Sequence, residues 1–361
     1  MECPQLNAKA LPSSVTCEAS ARISTMSLLC ALLVILIHAD RAPIAGTLSS
    51  ILFQIGFILT RVAVPFFFCA AAYFLAGRTH EPSWYMREVK KRVRSLLVPM
   101  WVGSIFTFLW STVLIIGANY YHSEPLCRNL PQTVVDWATI LALNPFDNPL
   151  TPFWFLRTLF VFVLASPLLV WIVQRSKYAA ITLVIVTYGL YSVFTYCVKL
   201  GLVPDESCLK ELLTWLFSLK DLFFFTVGIV VRYYPIRLPT GTASNLFFVM
   251  MALLLAVLSW YFSVETFIVL PMLTLFVYLA MPIQALPTAL TTCSFPIYVL
   301  HMIPLGLINC IFKNVPSLSF SRTSVLGWLI IGVSTMIICM IMCHIMRKVL
   351  PKFSCLLFGG R

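Results

Sequence analysis

Apolar runs of about 20 residues recur along this chain from end to end, and each is long enough to cross the roughly 30 Å hydrocarbon core of a bilayer. Of the 361 residues, 60% are hydrophobic and only 11% are charged. Ordinary soluble domains carry about 25% charged residues and far fewer apolar ones. The sequence therefore predicts an all-α, polytopic integral membrane protein.

Ten transmembrane helices are predicted from these runs, with both termini on the cytoplasmic side. Cytoplasmic loops are enriched in Lys and Arg, and such residues crowd the stretch 87–94 and the C-terminus. With ten spans, the basic stretches fall on one side of the membrane. The predicted domains are a cytoplasmic N-terminal segment at 1–24, a single transmembrane domain at 25–350 and a cytoplasmic tail at 351–361. The predicted helices lie at about 25–40, 51–77, 95–117, 153–174, 178–199, 212–232, 244–263, 266–285, 290–311 and 325–348.

The net charge of +12 is explained mostly by this asymmetry between loops. Nucleic-acid binding requires a basic face on a water-exposed domain, and the chain has no such domain, so this function is excluded. Most of the 12 cysteines lie inside apolar runs, and no CxxC pair or Cys/His cluster predicts a metal site. Cys127 and Cys208 both fall in predicted outer loops and could form a disulfide in an oxidising compartment.

Four ionisable side chains fall within or at the edge of predicted spans, namely His38, Arg61, Arg157 and His301. Such groups are costly in a bilayer and usually face a wet cavity or a partner, so each is a functional-site hypothesis. The structural alternative is hydrogen bonding between helices, and Arg157 near an interface can simply snorkel. Because few intramembrane acids accompany these groups, the excess positive charge favours an anionic ligand such as a phosphate. The residues alone thus predict a membrane protein with a basic, histidine-containing cavity.

Five segments, in chain order, resemble the motifs of the acyltransferase-3 family of integral membrane acyltransferases. They are Leu33–His38, Val64–Leu75, Lys90–Pro99, Trp154–Arg157 and Ile297–His301. The resemblance covers nearly the whole chain, and the predicted count of ten helices fits the family. The chain departs from the family pattern in two places. Alanines follow the Phe pair instead of Ser-Gly, and the family's Arg-x-x-Arg falls on 91–94 or 92–95, with neither register a full match.

The resemblance implies transfer of an acyl group, commonly acetyl, from cytoplasmic acyl-CoA to a hydroxyl of a carbohydrate or related cell-envelope acceptor. It also implies a multi-pass protein of the bacterial cytoplasmic membrane. In this chemistry a base must take the hydroxyl proton, which suits His38. The developing oxyanion needs positive or hydrogen-bonding stabilisation, for which Arg61 and Arg157 are the candidates.

The remaining site residues follow from the same resemblance. The implied ligands of the CoA phosphates are Lys91, Arg92 and Arg94, in the predicted cytoplasmic connection. The implied acceptor-site or structural residues are His301, Asp40, Trp154 and Tyr298. Asp40 lies two residues beyond His38, outside the i+3 or i+4 spacing that brings helical side chains together.

The predicted topology separates the catalytic histidine from its donor. It places His38 toward the outer leaflet, whereas CoA is cytoplasmic, so a conduit through the helix bundle is predicted. The alternative function is a secondary transporter or exporter of an anionic glycan or organic acid. Transporters often contain internal repeats and paired broken helices, and neither is evident in the sequence.

Overall fold

The computed structural model describes residues 17–39, 48–79, 83–106, 153–199, 221–235, 285–314 and 324–360, with isolated positions at 109 and between 246 and 261. Throughout these residues the chain is helical and forms no strand, so the predicted all-α class is confirmed for them. The helices are α1 (Cys17–His38), α2 (Leu48–Thr60), α3 (Ala63–Ala76), α4 (Trp84–Arg92), α5 (Trp154–Arg175), α6 (Lys177–Lys199), α7 (Leu222–Tyr233), α8 (Thr288–Thr291), α9 (Ser294–Leu300), α10 (Met302–Asn314), α11 (Val325–Val349) and α12 (Pro351–Leu357).

Four of these segments are long and apolar enough to cross a membrane. They are Ser20–His38, Leu48–Ala76, Trp154–Arg175 and Val325–Val349. The pair Thr288–Leu300 and Met302–Asn309 makes a fifth candidate if it is counted as one span, although it is bent by 65°. The predicted helices at 244–263 and 266–285 lie wholly or largely outside the described residues. The count of ten and the cytoplasmic placement of both termini therefore stay predictions.

Helix α1 is longer than predicted, because it begins at Cys17 rather than near residue 25. Its early turns contain Ser24, Thr25 and Ser27, and each hydroxyl donates to the backbone carbonyl four residues earlier. Such bonds satisfy a hydroxyl inside an apolar helix without a partner from another element. At the other end, the indole N–H of Trp328 on α11 donates to the carbonyl oxygen of Leu36 at 3.0 Å. That bond satisfies one of the carbonyls left open at a helix C-terminus and fixes the end of α1.

Among the described helices, α3 and α7 cross most closely. A Cβ added at Gly228 of α7 would collide with the carbonyl oxygen of Cys69 and lie 2.8 Å from the Cβ of Ala72. Small residues let membrane helices approach closely, so the backbones themselves are in contact here. Fully buried phenylalanines fill the space around this crossing, namely Phe66, Phe68, Phe162, Phe223, Phe224 and Phe225.

Helix α4 continues through a π-helical turn, Val93–Leu97, and on to residue 106. The C-terminal helix α12 packs beside this turn and ends in two glycines of positive φ, Gly359 at 64° and Gly360 at 74°. The N–H of Gly360 donates to the carbonyl of Cys355 at 2.8 Å, which is the closing bond of a Schellman motif. Leu357 and Phe358 are fully buried. Residues 351–360, assigned from the sequence to a tail, are thus helical and packed onto the molecule.

Candidate functional site

Two of the four predicted intramembrane groups lie side by side. His38 is the last residue of α1, and His301 occupies the break between α9 and α10. Their ring centroids are 5.5 Å apart. His301 is fully buried, whereas His38 is half-buried. Residues separated by more than 260 positions in the chain therefore form one pair, which we call the histidine pair.

The backbone fixes the tautomer of His301. Its Nδ1 lies 2.7 Å from the carbonyl oxygen of Tyr298. A carbonyl oxygen can only accept, so Nδ1 must carry the proton and donate it. In the neutral ring Nε2 then has a free lone pair, and this buried atom has no hydrogen-bond partner within the described parts of the chain. The arrangement leaves His301 with an acceptor nitrogen in a dry site.

The two arginines occupy different surroundings. Arg61 lies in the turn between α2 and α3, where its guanidinium carbon is 5.0 Å from the ring centroid of Phe57. Arg157 lies in the first turn of α5 and is buried. Two residues before it, the ring of Phe155 is 5.8 Å from that of Tyr298, which links this turn to the histidine pair.

The other predicted acceptor-site residues are distributed unevenly. The rings of Tyr298 and His301 are 6.1 Å apart, so Tyr298 joins the histidine pair directly. Trp154 begins α5 and packs against Phe68 and Phe155, at 6.5 Å from each ring. Asp40, like the predicted disulfide partners Cys127 and Cys208, lies outside the described residues.

A cavity of about 780 Å³ lies beside the end of α4 and reaches Tyr298, a ring neighbour of His301. One end is lined by six cationic side chains, namely Arg78, Arg87, Lys90, Lys91, Arg92 and Arg94. The other end is lined by Tyr298 and by aromatic and small residues of α3 and α5, whereas His38, Arg61, Arg157 and His301 are not among the lining residues. We call these the basic end and the histidine end. All three residues predicted to bind CoA phosphates, Lys91, Arg92 and Arg94, line the basic end.

One buried acid lies among these cations. The carboxylate of Glu88 is 2.6 Å from Nη1 of Arg78 and 3.4 Å from Nε of Arg92. Burial lowers the pKa of the Arg92 guanidinium from its ordinary value, while the charge of Glu88 acts in the opposite direction. Among the described residues, those that line the cavity include no acid, so the surface offered to a ligand is strongly positive.

Several lining residues were missed by sequence reasoning. Arg87 and Lys90 belong to the same basic stretch as the predicted CoA ligands and Arg78 precedes that stretch, but none of the three is among the residues predicted to bind CoA. Gly359 and Gly360 also line the cavity, and an added Cβ at Gly359 would lie 2.8 Å from Cα of Ser95. A pair of glycines more than 250 residues from the basic stretch contains no signal of that contact.

Comparison with known proteins supports the resemblance noted in the sequence. The sequence model of the acyltransferase-3 family, described as an acyltransferase domain, matches residues 23–344. The chain is also similar to the succinoglycan biosynthesis protein ExoH of Rhizobium meliloti (strain 1021), with 27% identity over 173 residues. That similarity covers 45% of this chain and 45% of the relative, so the chain spans less than half the length of the curated relative it matches. No solved structure matches the chain. Because the family match runs through all five motifs, the chain belongs to the acyltransferase-3 family.

Proposed function

We propose that this protein is a membrane O-acyltransferase that moves an acyl group, such as acetyl, from acyl-CoA to a hydroxyl of a carbohydrate of the cell envelope. The observation that carries the proposal is a single cavity with a cationic end and an end that reaches Tyr298, a ring neighbour of His301. Acyl-CoA matches both ends of the cavity. Its phosphates are anionic, and its thioester lies at the tip of a long neutral arm. In this proposal the protein resides in the bacterial cytoplasmic membrane.

The donor enters at the basic end. Lys and Arg bind phosphate oxygens with charge-assisted hydrogen bonds, and Arg does so with two parallel donors. Arg92 and Arg94 lie on the cavity wall beside the π-helical turn, where the phosphates of CoA would be held. The pantetheine arm then follows the apolar wall formed by Phe67, Ala70 and Ala71 toward Tyr298.

This path would cover part of the distance that the predicted topology imposes between the cytoplasmic donor and the base, His38. The cavity touches α1 at Ser27, eleven residues before His38. At about 1.5 Å per residue this is roughly 16 Å along the helix. Tyr298, which also lines the cavity, is in ring contact with His301. The proposal therefore requires the thioester to pass Tyr298 to reach the histidine pair, because neither histidine lines the cavity.

The transfer step requires one base. The acceptor oxygen attacks the thioester carbonyl carbon, and a C–O bond forms as the hydroxyl proton passes to a nitrogen of His38. The tetrahedral intermediate then collapses, the C–S bond breaks, and the thiolate takes the proton back from the imidazolium. The products are the ester and free CoA, so no other reactant is consumed. Arg157, buried at the start of α5, is the first candidate to stabilise the oxyanion in this proposal, and Arg61 is the second.

His301 supports His38 in this scheme. With its Nδ1 proton committed to the Tyr298 carbonyl, Nε2 can accept a hydrogen bond from the His38 ring after a rotation of the His38 imidazole. Such a bond orients His38 with its remaining lone pair toward the acceptor hydroxyl and stabilises the imidazolium that forms. Two positive charges at this separation in a buried site repel each other strongly, so we expect the pair to hold at most one extra proton.

The carbohydrate acceptor rests on the similarity to a succinoglycan biosynthesis protein. The acceptor reaches the histidine pair on the side of His38, whose ring is half-buried rather than enclosed. A hydroxyl arriving there meets the base directly, while the donor approaches from the opposite end of the cavity.

The test is to block the cavity while leaving both chemical ends intact. Ala71 lines the apolar wall and is far smaller than tryptophan, so Ala71→Trp should close the path of the pantetheine arm. The measurement is release of CoA thiol from acetyl-CoA by purified protein in nanodiscs, with and without a soluble glycan acceptor. The matched control is Ile185→Trp, because Ile185 is 63% exposed on α6 and does not line the cavity.

We expect Ala71→Trp to abolish acetyl-CoA turnover and Ile185→Trp to retain it, with both proteins eluting as single species. Full activity of Ala71→Trp would rule out donor entry by this cavity. Wild-type protein that neither binds CoA nor turns over acetyl-CoA would overturn the proposed donor altogether.

A further inference from the structure

Glu88 is the feature of the basic end that the proposed chemistry does not use. It lies on α4 and is only 3% exposed, although a carboxylate normally seeks water. Its two oxygens face two arginines, Arg78 at 2.6 Å and Arg92 at 3.4 Å. Both arginines line the cavity, whereas Glu88 does not. The acid therefore lies behind the two cations as seen from the cavity.

The local sequence explains how these three residues meet. Glu88 and Arg92 are four residues apart, which places them on the same face of α4. Arg78 comes from the turn after α3, and an N–H of its guanidinium donates to the buried oxygen. One helix and the turn of another are thus joined at a single carboxylate.

Without Glu88, the side chains of Arg78 and Arg92 would not stay close together in fixed positions. Two guanidinium groups in one place repel each other, and their long side chains lose considerable rotamer entropy when fixed. A carboxylate between them reduces the repulsion, and it holds Arg78 by a hydrogen bond and Arg92 by a longer ion-pair contact. Arg78 remains 37% exposed at its side chain, so it still presents donors to solvent and to a ligand.

We propose that Glu88 is a positioning residue that holds Arg78 and Arg92 on the cavity wall for the phosphate groups of the donor. The inference rests on the proposed use of acyl-CoA and names how its anionic part is recognised. Glu88 does not touch the donor. It acts through the two arginines, which bind the phosphates in a fixed geometry.

A simple electrostatic effect makes the opposite prediction. Glu88 is a negative charge near an anion site, so through space alone it opposes phosphate binding, and its removal should strengthen the binding of CoA. A positioning role predicts that its removal weakens binding, because the arginines lose their common anchor. The sign of the change therefore separates the two explanations.

The experiment compares wild type with Glu88→Gln, which keeps the shape of the side chain and removes its charge. The readouts are the Kd of CoA, measured on purified protein in nanodiscs, and the KM and kcat for acetyl-CoA. We expect Kd and KM to rise about tenfold with kcat at saturating donor unchanged, since the loss is in binding a part of the donor remote from the reaction. The matched control is Asp221→Asn, which changes another buried acid that does not line the cavity.

A double mutant tests whether Glu88 acts through its partner. If it does, Glu88→Gln in an Arg78→Gln background should weaken CoA binding much less than it does in wild type, because the contact is already lost. Equal effects in both backgrounds would contradict the inference. Arg78→Lys provides a second test on a more exposed residue. It keeps the charge and loses the fork-shaped guanidinium, so we expect KM to rise severalfold with kcat retained.

Unchanged or tighter CoA binding by folded Glu88→Gln would overturn the positioning role. An unchanged KM for acetyl-CoA in Arg78→Lys would also overturn it. This second test remains available even if Glu88→Gln fails to fold. Failure of the proposed function looks different, because it would be seen in the wild type as an absence of CoA binding and of acetyl-CoA turnover.

Discussion

At the basic end of the cavity six cationic side chains surround one buried carboxylate, whereas at the histidine end two imidazoles lie against aromatic rings. The first environment is open to water and strongly charged, and it can hold an anion in many similar poses. In the second, His301 and Tyr298 are buried and His38 is half-buried, so a group there must be placed by shape and by individual hydrogen bonds. Changes at the two ends should therefore differ in kind. Those at the basic end should alter binding, and those at the histidine end should alter the rate of the chemical step.

The largest effect should come from removing an imidazole. We expect His38→Ala to lower kcat for acyl transfer by about 10²- to 10⁴-fold, the usual contribution of a positioned base, while the Kd of CoA stays within about twofold. His301→Ala should follow in the same direction, because it removes the ring that orients His38. The measurement is steady-state transfer from acetyl-CoA together with equilibrium binding of CoA.

His344→Ala is the control for both variants. His344 lies on an exposed face of α11 and has no role in the proposed chemistry. Identical turnover by wild type and His38→Ala would remove His38 from the mechanism. A parallel loss of CoA binding in His38→Ala would show that the two ends are not separable in the way proposed.

The next effect tests the packing of α3, which lines the cavity, against α7. Helix α3 lines the cavity with Phe67, Ala70, Ala71 and Phe74, and it is held by α7 at Gly228. We expect Gly228→Ala to destabilise the protein by about 1–3 kcal/mol through overpacking, and to lower both binding and turnover. The measurement is thermal unfolding monitored by size-exclusion chromatography.

Gly189→Ala is the matched control for this crossing. It is also a helical glycine, and an added Cβ there would meet nothing within 4 Å. We expect Gly189→Ala to be neutral or slightly stabilising, since alanine is the better helix former. If Gly228→Ala were equally harmless, the close approach of α3 and α7 would not be what holds the cavity wall.

A smaller effect should follow from a single cation at the basic end. We expect Arg94→Gln to raise the KM for acetyl-CoA about tenfold, as loss of a charge-assisted hydrogen bond does, with kcat unchanged. Raising ionic strength should reduce the difference between wild type and variant, because salt screens exposed charges. The control is Arg175→Gln, since Arg175 is exposed, packs over the ring of Trp171 and does not line the cavity. A loss of kcat in Arg94→Gln would place this residue in the chemical step instead.

The smallest effect compares two adjacent glycines. Both have positive φ, so alanine at either costs about 1–2 kcal/mol of backbone strain. Only Gly359 also approaches Ser95, whereas a Cβ at Gly360 would meet no atom closer than 3.9 Å. We expect Gly359→Ala to weaken CoA binding and lower thermal stability more than Gly360→Ala does. Equal losses would mean that the contact with the π-helical turn contributes nothing beyond the shape of the turn.

The sequence predicted three helix positions well, because length and hydropathy determine them: predicted helices at 153–174, 178–199 and 325–348 correspond to helices within one or two residues. The helix predicted at 95–117 instead begins at Trp84, and the helix predicted at 290–311 is bent by 65° at its break. The start of α1 was predicted eight residues late, and Ser24, one of the omitted residues, reads as polar although its hydroxyl bonds within the helix.

The site was predictable as a set of residue types but not as an arrangement. His38 and His301 were both singled out by their cost in a membrane, and the structure brings them together. Glu88 was not, because a carboxylate in a basic stretch is usually a solvated surface group. Its burial depends on Arg78, which comes from another helix, and no local pattern records that contact.

The break between α9 and α10 has a consequence for how this site tolerates change. The acceptor that fixes the His301 tautomer is a main-chain carbonyl, that of Tyr298, and every amino acid carries one. No substitution at position 298 can delete it. Substitutions of the surrounding side chains can therefore reshape the pocket for different acceptors. The tautomer of His301 stays the same, because the path of the backbone determines it. Only a change that moves the break itself would alter it.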